Sequence, residues 1–225
     1  MRRLIAVLSS CALPLYDNRP STEADLHAEL PYQANLGYAF SKRLLDVHVR
    51  LVARDKGLWW STIAPVTMYG PHDHFDPEAG HVIGALFHRC WRAKQTGQAL
   101  TVWGSGEAIR QFVFVNDIAR LLVVMLEHKL DPETVIVAPD AGMTIRALAE
   151  AVAQAMQYEG PIHYDTSQPE GVRVKRLQSG RFQKAFSTFA FTTLEDGLKE
   201  TARWYLSTKG KADMPSLVTQ TTAET

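Results

Sequence analysis

Leu4-Ile5-Ala6-Val7-Leu8-Ser9-Ser10-Cys11 runs from consecutive apolar residues straight into three small polar ones. A short, unbroken apolar run of this kind reads as a strand buried on both faces, as in a parallel sheet. In an open α/β sheet, ligands gather beyond the carboxyl ends of the strands. Ser9, Ser10 and Cys11 therefore stand where chemistry is expected. The same residues admit a rival reading. Met1-Arg2-Arg3 followed by Leu4 to Leu15 imitates a secretory signal, and Leu8-Ser9-Ser10-Cys11 imitates a lipoprotein cleavage box. That apolar stretch is short and Pro14 interrupts it, so the buried strand explains the residues better.

Working outward, the segment to about Gly37 is rich in turn and polar residues and reads as a loop. From Tyr38 to about Lys56, Phe40, Leu44, Leu45, Val47, Val49, Leu51 and Val52 leave a polar face through Lys42, Arg43, Asp46 and Arg50, which predicts a helix. Trp60 to Val66 is a second buried strand, and Gly70-Pro71-His72-Asp73 breaks the chain into a long loop. A helix over Val82 to Gln95 follows, then a strand over Leu100 to Trp103 and a turn at Gly104-Ser105-Gly106. Phe112 to Val115 is a short strand, and Asn116 or Asp117 caps a helix to His128. Thr134 to Ala138 is a strand, and Thr144 caps a helix to about Tyr158 whose inner face is Ala147, Leu148, Ala151, Val152 and Ala155. Leu194 to Leu206 is the last helix. Strands alternating with helices predict an α/β fold with a largely parallel sheet.

Composition narrows the function. The net charge is zero and the pI is about 7.1, so no global field favours nucleic acid or an anionic membrane. An anionic ligand must be held by local arginines. Cys11 and Cys90 are the two cysteines, without the spacing of a disulfide framework or a zinc site. That fits a reducing, cytoplasmic setting, and no run reaches the ~18 apolar residues of a membrane span.

Tyr38-Ala39-Phe40-Ser41-Lys42 is a Y-x-x-x-K motif at a helix start, with both side chains on one face. A lysine ammonium beside a phenol favours the phenolate, and such a tyrosine exchanges protons with a carbonyl or alcohol oxygen. The pair alone is weak, because tyrosine and lysine meet this way by chance in many helices. Ser9, at a strand's carboxyl end and a suitable distance upstream, strengthens it.

With Leu8-Ser9-Ser10-Cys11-Ala12-Leu13-Pro14 and Gly37-Tyr38-Ala39-Phe40-Ser41-Lys42 on one side, the chain continues through Tyr69-Gly70-Pro71-His72-Asp73 and Gly80-His81-Val82-Ile83. Val102-Trp103-Gly104-Ser105-Gly106, Arg110-Gln111-Phe112, Asp117, Tyr164-Asp165-Thr166 and Trp204 follow in order. In these motifs, over roughly residues 4 to 206, the chain resembles the GDP-L-fucose synthases, which are extended short-chain dehydrogenase/reductases. The resemblance implies a Rossmann-type α/β fold with a smaller substrate-binding domain and a homodimer. It also implies conversion of GDP-4-keto-6-deoxy-D-mannose to GDP-L-fucose with NADPH.

That reaction inverts C3 and C5, both α to the C4 ketone, and then reduces C4. Inversion needs a base on one face and an acid on the other. A thiol with an ordinary pKa near ~8.5 and an imidazole near ~6.5 suit this near neutrality. By resemblance Cys11 is the base, His81 the acid, and Ser9, Tyr38 and Lys42 the reducing triad. The cofactor positions implied are Val7, Leu8, Ser9, Ser10, Tyr38, Lys42, Pro65, Val66, Thr67, Met68 and His81. Arg89, Trp103, Arg110 and Glu170 match the family's substrate contacts, which suits guanidinium groups that bind phosphate bidentately. No metal site is expected, and Cys90 reads as core packing.

Several departures stand beside the match. No G-x-G-x-x-G or G-x-x-G-x-x-G occurs in the chain, so the front of the dinucleotide-binding domain is expected to be missing and activity of this chain alone is in doubt. Thr67 stands where the family has Asn, His74 where it has Asn, and Glu170 where close relatives have Asp. The expected organisation is a partial NADP-binding domain over 1–70 and a substrate region over 71–206 from which about 112–158 returns to the first domain, with a disordered tail over 207–225. Two rivals remain: a non-catalytic remnant that still dimerises or binds nucleotide sugar, and another sugar-nucleotide epimerase or dehydratase. Cys11 with His81 speaks against the second rival, since a 4-epimerase needs no pair of α-carbon acid/base groups.

Overall fold

In the computed structural model, which describes residues 1–128, 131–139 and 142–212, strands β1 (Arg3–Val7) and β2 (Trp59–Pro65) run parallel, from Arg3 opposite Trp59 to Val7 opposite Ile63. The apolar run at the N-terminus is thus a sheet strand. β7 (Thr134–Val137) pairs in parallel with the other side of β2, giving the order β1-β2-β7. Between β1 and β2 the chain makes 3-10 turns at Ser10–Ala12, Glu23–Asp25 and Gln33–Asn35, then α1 (Leu36–Lys56). The segment expected to be a plain loop is therefore shaped by its own local hydrogen bonds.

α1 exists where its periodicity placed it, but its predicted faces are only partly kept: Val49 and Leu45 pack inward as expected. Arg43 and Asp46, assigned to the polar outer face, are buried with Ala39, Val49 and Ala53. Phe40, Leu44, Val47 and Leu51, assigned to the core, are exposed. The reason is specific bonding that outweighs the desolvation cost of polar groups. Asp46 Oδ1 accepts from the hydroxyls of Thr62 and Thr134, each at 2.6 Å. Asp46 Oδ2 meets His27 Nε2 at 2.7 Å and accepts from Arg50 Nη2. Arg43 Nε donates to Ala12 O at 2.7 Å. One carboxylate thus ties the helix to β2, to β7 and to the loop at His27.

Beyond β2, β3 (Thr67–Tyr69) pairs in parallel with β6 (Phe112–Phe114). α2 (Val82–Thr96) and β4 (Leu100–Trp103) follow, and β4 pairs in parallel with β9 (Ile162–Asp165). β5 (Ile109–Arg110) pairs antiparallel with β8 (Met143–Thr144). The remaining helices are α3 (Val115–Glu127), α4 (Ile145–Ala155), α5 (Gly180–Ala185) and α6 (Leu194–Ala212). Thr144 caps α4 as expected, its hydroxyl accepting from Ala147 N at 3.1 Å. Neither proposed cap of α3 does so. Asp117 is buried in the first turn, where it accepts from Arg120, Thr192 N and Thr192 Oγ1.

Two hydrophobic cores result. One gathers Leu8, Leu13, Ile63, Val66, Ile118, Leu121, Met125 and Ile136 around β1, β2, β7 and α3, with Phe182 and Phe186 from α5 and its end. The other gathers Phe87, Leu100, Val102, Leu148, Val152, Leu198 and Tyr205 around α2, β4, α4 and α6. Val113 and the buried apolar residues from Ile118 to Ala138 feed the first core, whereas Phe112, Phe114 and α4 pack in the second, so the stretch 112–158 divides between them. α6 continues to Ala212, past the helix end expected at Leu206, so residues 207–212 are helix and not the expected disordered tail. The rest of that tail lies outside the described residues. Among the described residues, no helix is long and apolar enough to cross a membrane.

Asp46 gives the fold a testable acid dependence. Burial pushes its carboxyl up, but hydrogen bonds from His27, Thr134 and Thr62 and the Arg50 charge outweigh that and hold it below its ordinary value. Truncating one member of a buried charged network costs roughly 3–5 kcal/mol, so Asp46→Ala should lose about that much in urea denaturation near neutral pH. A depressed folded value means that the stabilisation is complete above the unfolded value of about 3.9 and is lost as pH falls through the lower folded one. The gap between wild type and Asp46→Ala should therefore narrow in acid. A gap that is constant down to about pH 3 would remove Asp46 ionisation from the fold's stability.

Candidate active site

Ser9 ends β1 and caps the 3-10 turn Ser10–Ala12, its hydroxyl accepting from Cys11 N at 3.2 Å. The same hydroxyl that sequence reasoning assigns to the triad thus also orients Cys11. Lys42, in the second turn of α1, donates from Nζ to Val7 O at 3.0 Å and lies 5.6 Å from the Tyr38 ring centroid. Tyr38 is 50% exposed, so its phenol is open to a ligand. Val7, Leu8, Ser9, Ser10, Tyr38 and Lys42 therefore cluster at the carboxyl end of β1. Pro65 ends β2 alongside, and Val66, Thr67 and Met68 lead on into β3, with Val66 N donating to Val137 O at 3.0 Å.

The residues expected to contact substrate converge on a cleft of about 310 Å³. His81, Arg89, Trp103, Arg110 and Glu170 all line it, together with Thr67 and Lys175. His81 occupies the N-cap position of α2 with extended backbone and makes no side-chain cap bond. Behind it, burial pushes the Asp73 carboxyl up, while the His74 backbone N–H and the His81 charge pull it down. His72, at a left-handed φ of 67°, stacks on Trp204 with centroids 4.6 Å apart and pins this loop to α6. Arg89 lies 4.1 Å over the Trp103 ring and donates to Pro77 O, so its guanidinium plane is set by stacking.

Gly104 and Gly106 shape the cleft's other wall. Both have positive φ, 79° and 83°. A Cβ on Gly104 would come within 2.8 Å of the Glu170 side chain, and one on Gly106 within 2.8 Å of the Tyr164 ring. Their bareness lets Glu170 Oε1 accept from Ser105 Oγ at 2.6 Å. That hydrogen bond heads the causes that hold the Glu170 carboxyl below its usual value. Burial pulls the Arg110 guanidinium down, opposed by Tyr32 and Glu170. Arg146 fixes the turn from below, donating to Ser105 O at 2.8 Å and stacking 3.9 Å from the Tyr164 ring.

Two positions escaped the sequence reading. Lys175 lines the cleft and lies 3.7 Å from Cys11 Sγ, yet it stands in a polar stretch without motif or periodicity. Asp73 was quoted only as part of a motif, and nothing in the sequence places it behind His81. Ser9, Cys11, Tyr38 and Lys42 do not line the 310 Å³ cleft, and Cys11 meets it only through its contact with Lys175. Cys90 is fully buried in the α2 core, which pushes its thiol up to about 11. Among the described residues no cluster suits a metal ion.

This arrangement matches known proteins. The model for the "NAD dependent epimerase/dehydratase family" matches residues 1–138. A protein of Drosophila melanogaster described as a probable GDP-L-fucose synthase is 30% identical over 93% of this chain and 68% of its own length. The GDP-L-fucose synthase of Dictyostelium discoideum is 29% identical over 91% of this chain and 64% of its own length. A crystal structure of a GDP-L-fucose synthetase from Naegleria fowleri bound to NADP superposes with a TM-score of 0.86 at 33% identity, over 93% of this chain and 65% of that one. The chain thus spans about two thirds of the length of such relatives. A site assembled from the ends of β1 and β2 and a sugar-sized cleft, matched over nine-tenths of its length, places the chain in the NAD dependent epimerase/dehydratase family, in the branch that holds the GDP-L-fucose synthases.

Proposed function

We propose that this chain carries the chemistry by which GDP-4-keto-6-deoxy-D-mannose becomes GDP-L-fucose, inverting C3 and C5 and then reducing C4. One observation carries the reading: His81, Arg89, Trp103, Arg110 and Glu170 share one cleft, and Lys175 on its lining touches Cys11. A 4-epimerase or a plain reductase has no use for a thiol and an imidazole as a pair of α-carbon acid/base groups, and here Lys175 links the cleft that holds His81 to Cys11.

The residues divide the work. The Cys11 thiolate takes the proton from C3, leaving the electron pair in an enolate on the C4 oxygen, and His81 returns a proton from the opposite face, which inverts the carbon. The thiol then gives its proton to water and His81 takes one back from water, and the same pair inverts C5. Arg89 and Arg110 balance the diphosphate charge, Trp103 sets the Arg89 plane by stacking, and Glu170 accepts from sugar or base hydroxyl and amino donors. The polar, open end of β1 suits a nicotinamide ribose, because Lys42 Nζ is already aimed there by its bond to Val7 O and the Tyr38 ring is half exposed beside it. Val7, Leu8, Ser9, Ser10, Pro65, Val66, Thr67 and Met68 would hold that end of NADPH, which supplies the hydride for C4 when bound. Tyr38 then gives its proton to the C4 oxygen, with Ser9 and Lys42 beside it. No membrane or nucleic acid takes part, and the free cysteines suit the cytoplasm.

The two halves of the reaction separate cleanly in one experiment. In D₂O with the ketosugar, Cys11→Ser should cut deuterium entry at C3 and C5 by roughly 10²-fold or more, because a hydroxyl is a poor base near neutrality. Tyr38→Phe should leave that exchange intact while slowing NADPH oxidation by roughly 10²–10⁴-fold. Exchange that survives Cys11→Ser, read by mass spectrometry of the recovered sugar nucleotide, would end the proposed role of Cys11.

The exposed apolar face of α1 supports a further part of the reading, a homodimer. Leu36, Phe40, Leu44, Val47 and Leu51 form one exposed stripe at helical spacing, the pattern of a helix that packs on a helix. A second copy applying the same stripe would bury it by twofold symmetry. Leu44→Glu, at a side chain 70% exposed, should leave the monomer folded and shift light-scattering mass from dimer to monomer. A dimer that tolerates the charge would place the interface elsewhere.

A further inference from the structure

The contact between Lys175 and Cys11 crosses the molecule: Cys11 follows β1 in the first core, whereas Lys175 lies between β9 and α5, far along the chain. What brings them together is a strap over residues 173–178. On one side Ile109 N donates to Arg173 O at 2.8 Å and Lys175 N donates to Ile109 O at 3.1 Å, fastening the strap to β5. On the other side Ser21 N donates to Arg176 O at 3.0 Å and Gln178 N to Ser21 O at 2.9 Å, fastening it to the loop after Cys11. Leu177 N donates to Gln111 Oε1 at 2.7 Å from the middle. Lys175 is thus gripped by backbone bonds on both sides. Its Nζ is 3.7 Å from Cys11 Sγ, and the same side chain lines the cleft beside Thr67 and Arg110. Among the described residues no carboxylate pairs with it.

We propose that Lys175 is a positioning residue for Cys11, holding its sulfur as the reactive anion at the edge of the cleft. The inference rests on the proposed role of Cys11 as the α-carbon base, and it names the group that keeps that base in place. An ammonium within contact distance of a sulfur favours the thiolate, which is the form that abstracts a proton or attacks an alkylating agent. No other cation is in hydrogen-bonding contact with Cys11 among the described residues. When the thiolate takes a proton it becomes a neutral thiol, and the Lys175 charge remains on the cleft lining.

Alkylation tests this without sugar or cofactor, so failure of the synthase reading would leave the result readable. Cys11 of the intact chain is treated near neutral pH with neutral iodoacetamide or anionic iodoacetate, and each cysteine is followed by peptide mass spectrometry. Buried Cys90 reports whether the core stays closed. Lys175→Met should slow iodoacetamide at Cys11 by about fivefold or more, on the order of 1 kcal/mol. It should also lower the ratio of iodoacetate to iodoacetamide rates, which follows local charge and not mere accessibility. Lys175→Arg should restore both. Unchanged rates and ratio in Lys175→Met with Cys90 still protected would overturn the proposal, as would a loss that Arg fails to restore. Should Lys175→Met expose Cys90, the wild-type chain decides alone: an iodoacetate-to-iodoacetamide ratio at Cys11 no higher than in an unstructured cysteine peptide overturns it.

Discussion

The parallel pairing of β1 with β2 is the constraint from which the site follows. Parallel strands in register end at the same edge, so the chain leaves β1 at Ser9 and leaves β2 at Val66 within one small region. β7, parallel again, brings Ala138 and Pro139 to the same edge, where Gln111 Nε2 donates to Pro139 O at 2.8 Å. Parallel sheets oblige each connection to cross back over a face, and α1 is such a crossover. Its first turns therefore return beside the end of β1 and carry Tyr38 and Lys42 with them. The nearness of Ser9, Tyr38 and Lys42 is a consequence of topology.

The cleft is lined mainly by elements of the second core, which two connections join to the first. Phe112 and Phe114 pack in one core while Val113, between them, packs in the other, as alternation along a strand requires. β6 is thus a shared wall. The strap at 173–178 is the other fastening, bonded to Ser21 on one side and to Ile109 and Gln111 on the other. Cys11 follows β1 of the first core and His81 precedes α2 of the second, so their separation is set by these two fastenings.

Much of this was legible in the sequence. Buried strands announce themselves as apolar runs, and β1, β2, β4 and β7 lie within a residue or two of expectation. Glycine turns and the Thr144 cap are local chemistry and were equally visible. The face of α1 was not. Periodicity assumes that apolar residues go inward, and here Asp46 goes in because Thr62, Thr134, His27 and Arg50 come from four places that no local pattern connects. β9 and the strap failed for a related reason: residues such as His163, Asp165, Arg173 and Lys175 are polar, and only long-range pairing makes them structural. The motif residues His81, Arg89, Trp103, Arg110 and Glu170 were identified one by one through a resemblance; that they line a single cleft is a property of the fold.

The two cysteines show how much of reactivity is environment. As residues they are identical, and each has polar neighbours in sequence, Ser9 and Ser10 before Cys11 and His88, Arg89 and Arg92 around Cys90. Cys90 is enclosed by α2 packing, where desolvation disfavours the anion and leaves a small inert hydrophobe. Cys11 follows a strand end, its backbone N–H held by Ser9 Oγ and its sulfur met by a lysine ammonium from the far end of the chain. Burial alone would make either one unreactive; partial exposure alone would make Cys11 a liability to oxidation. The contact of Lys175 Nζ with Cys11 Sγ needs β1, the loop at Ser21 and the strap to be in place together. The setting of Cys11 is therefore a feature of the assembled tertiary structure and not of the Ser-Ser-Cys motif.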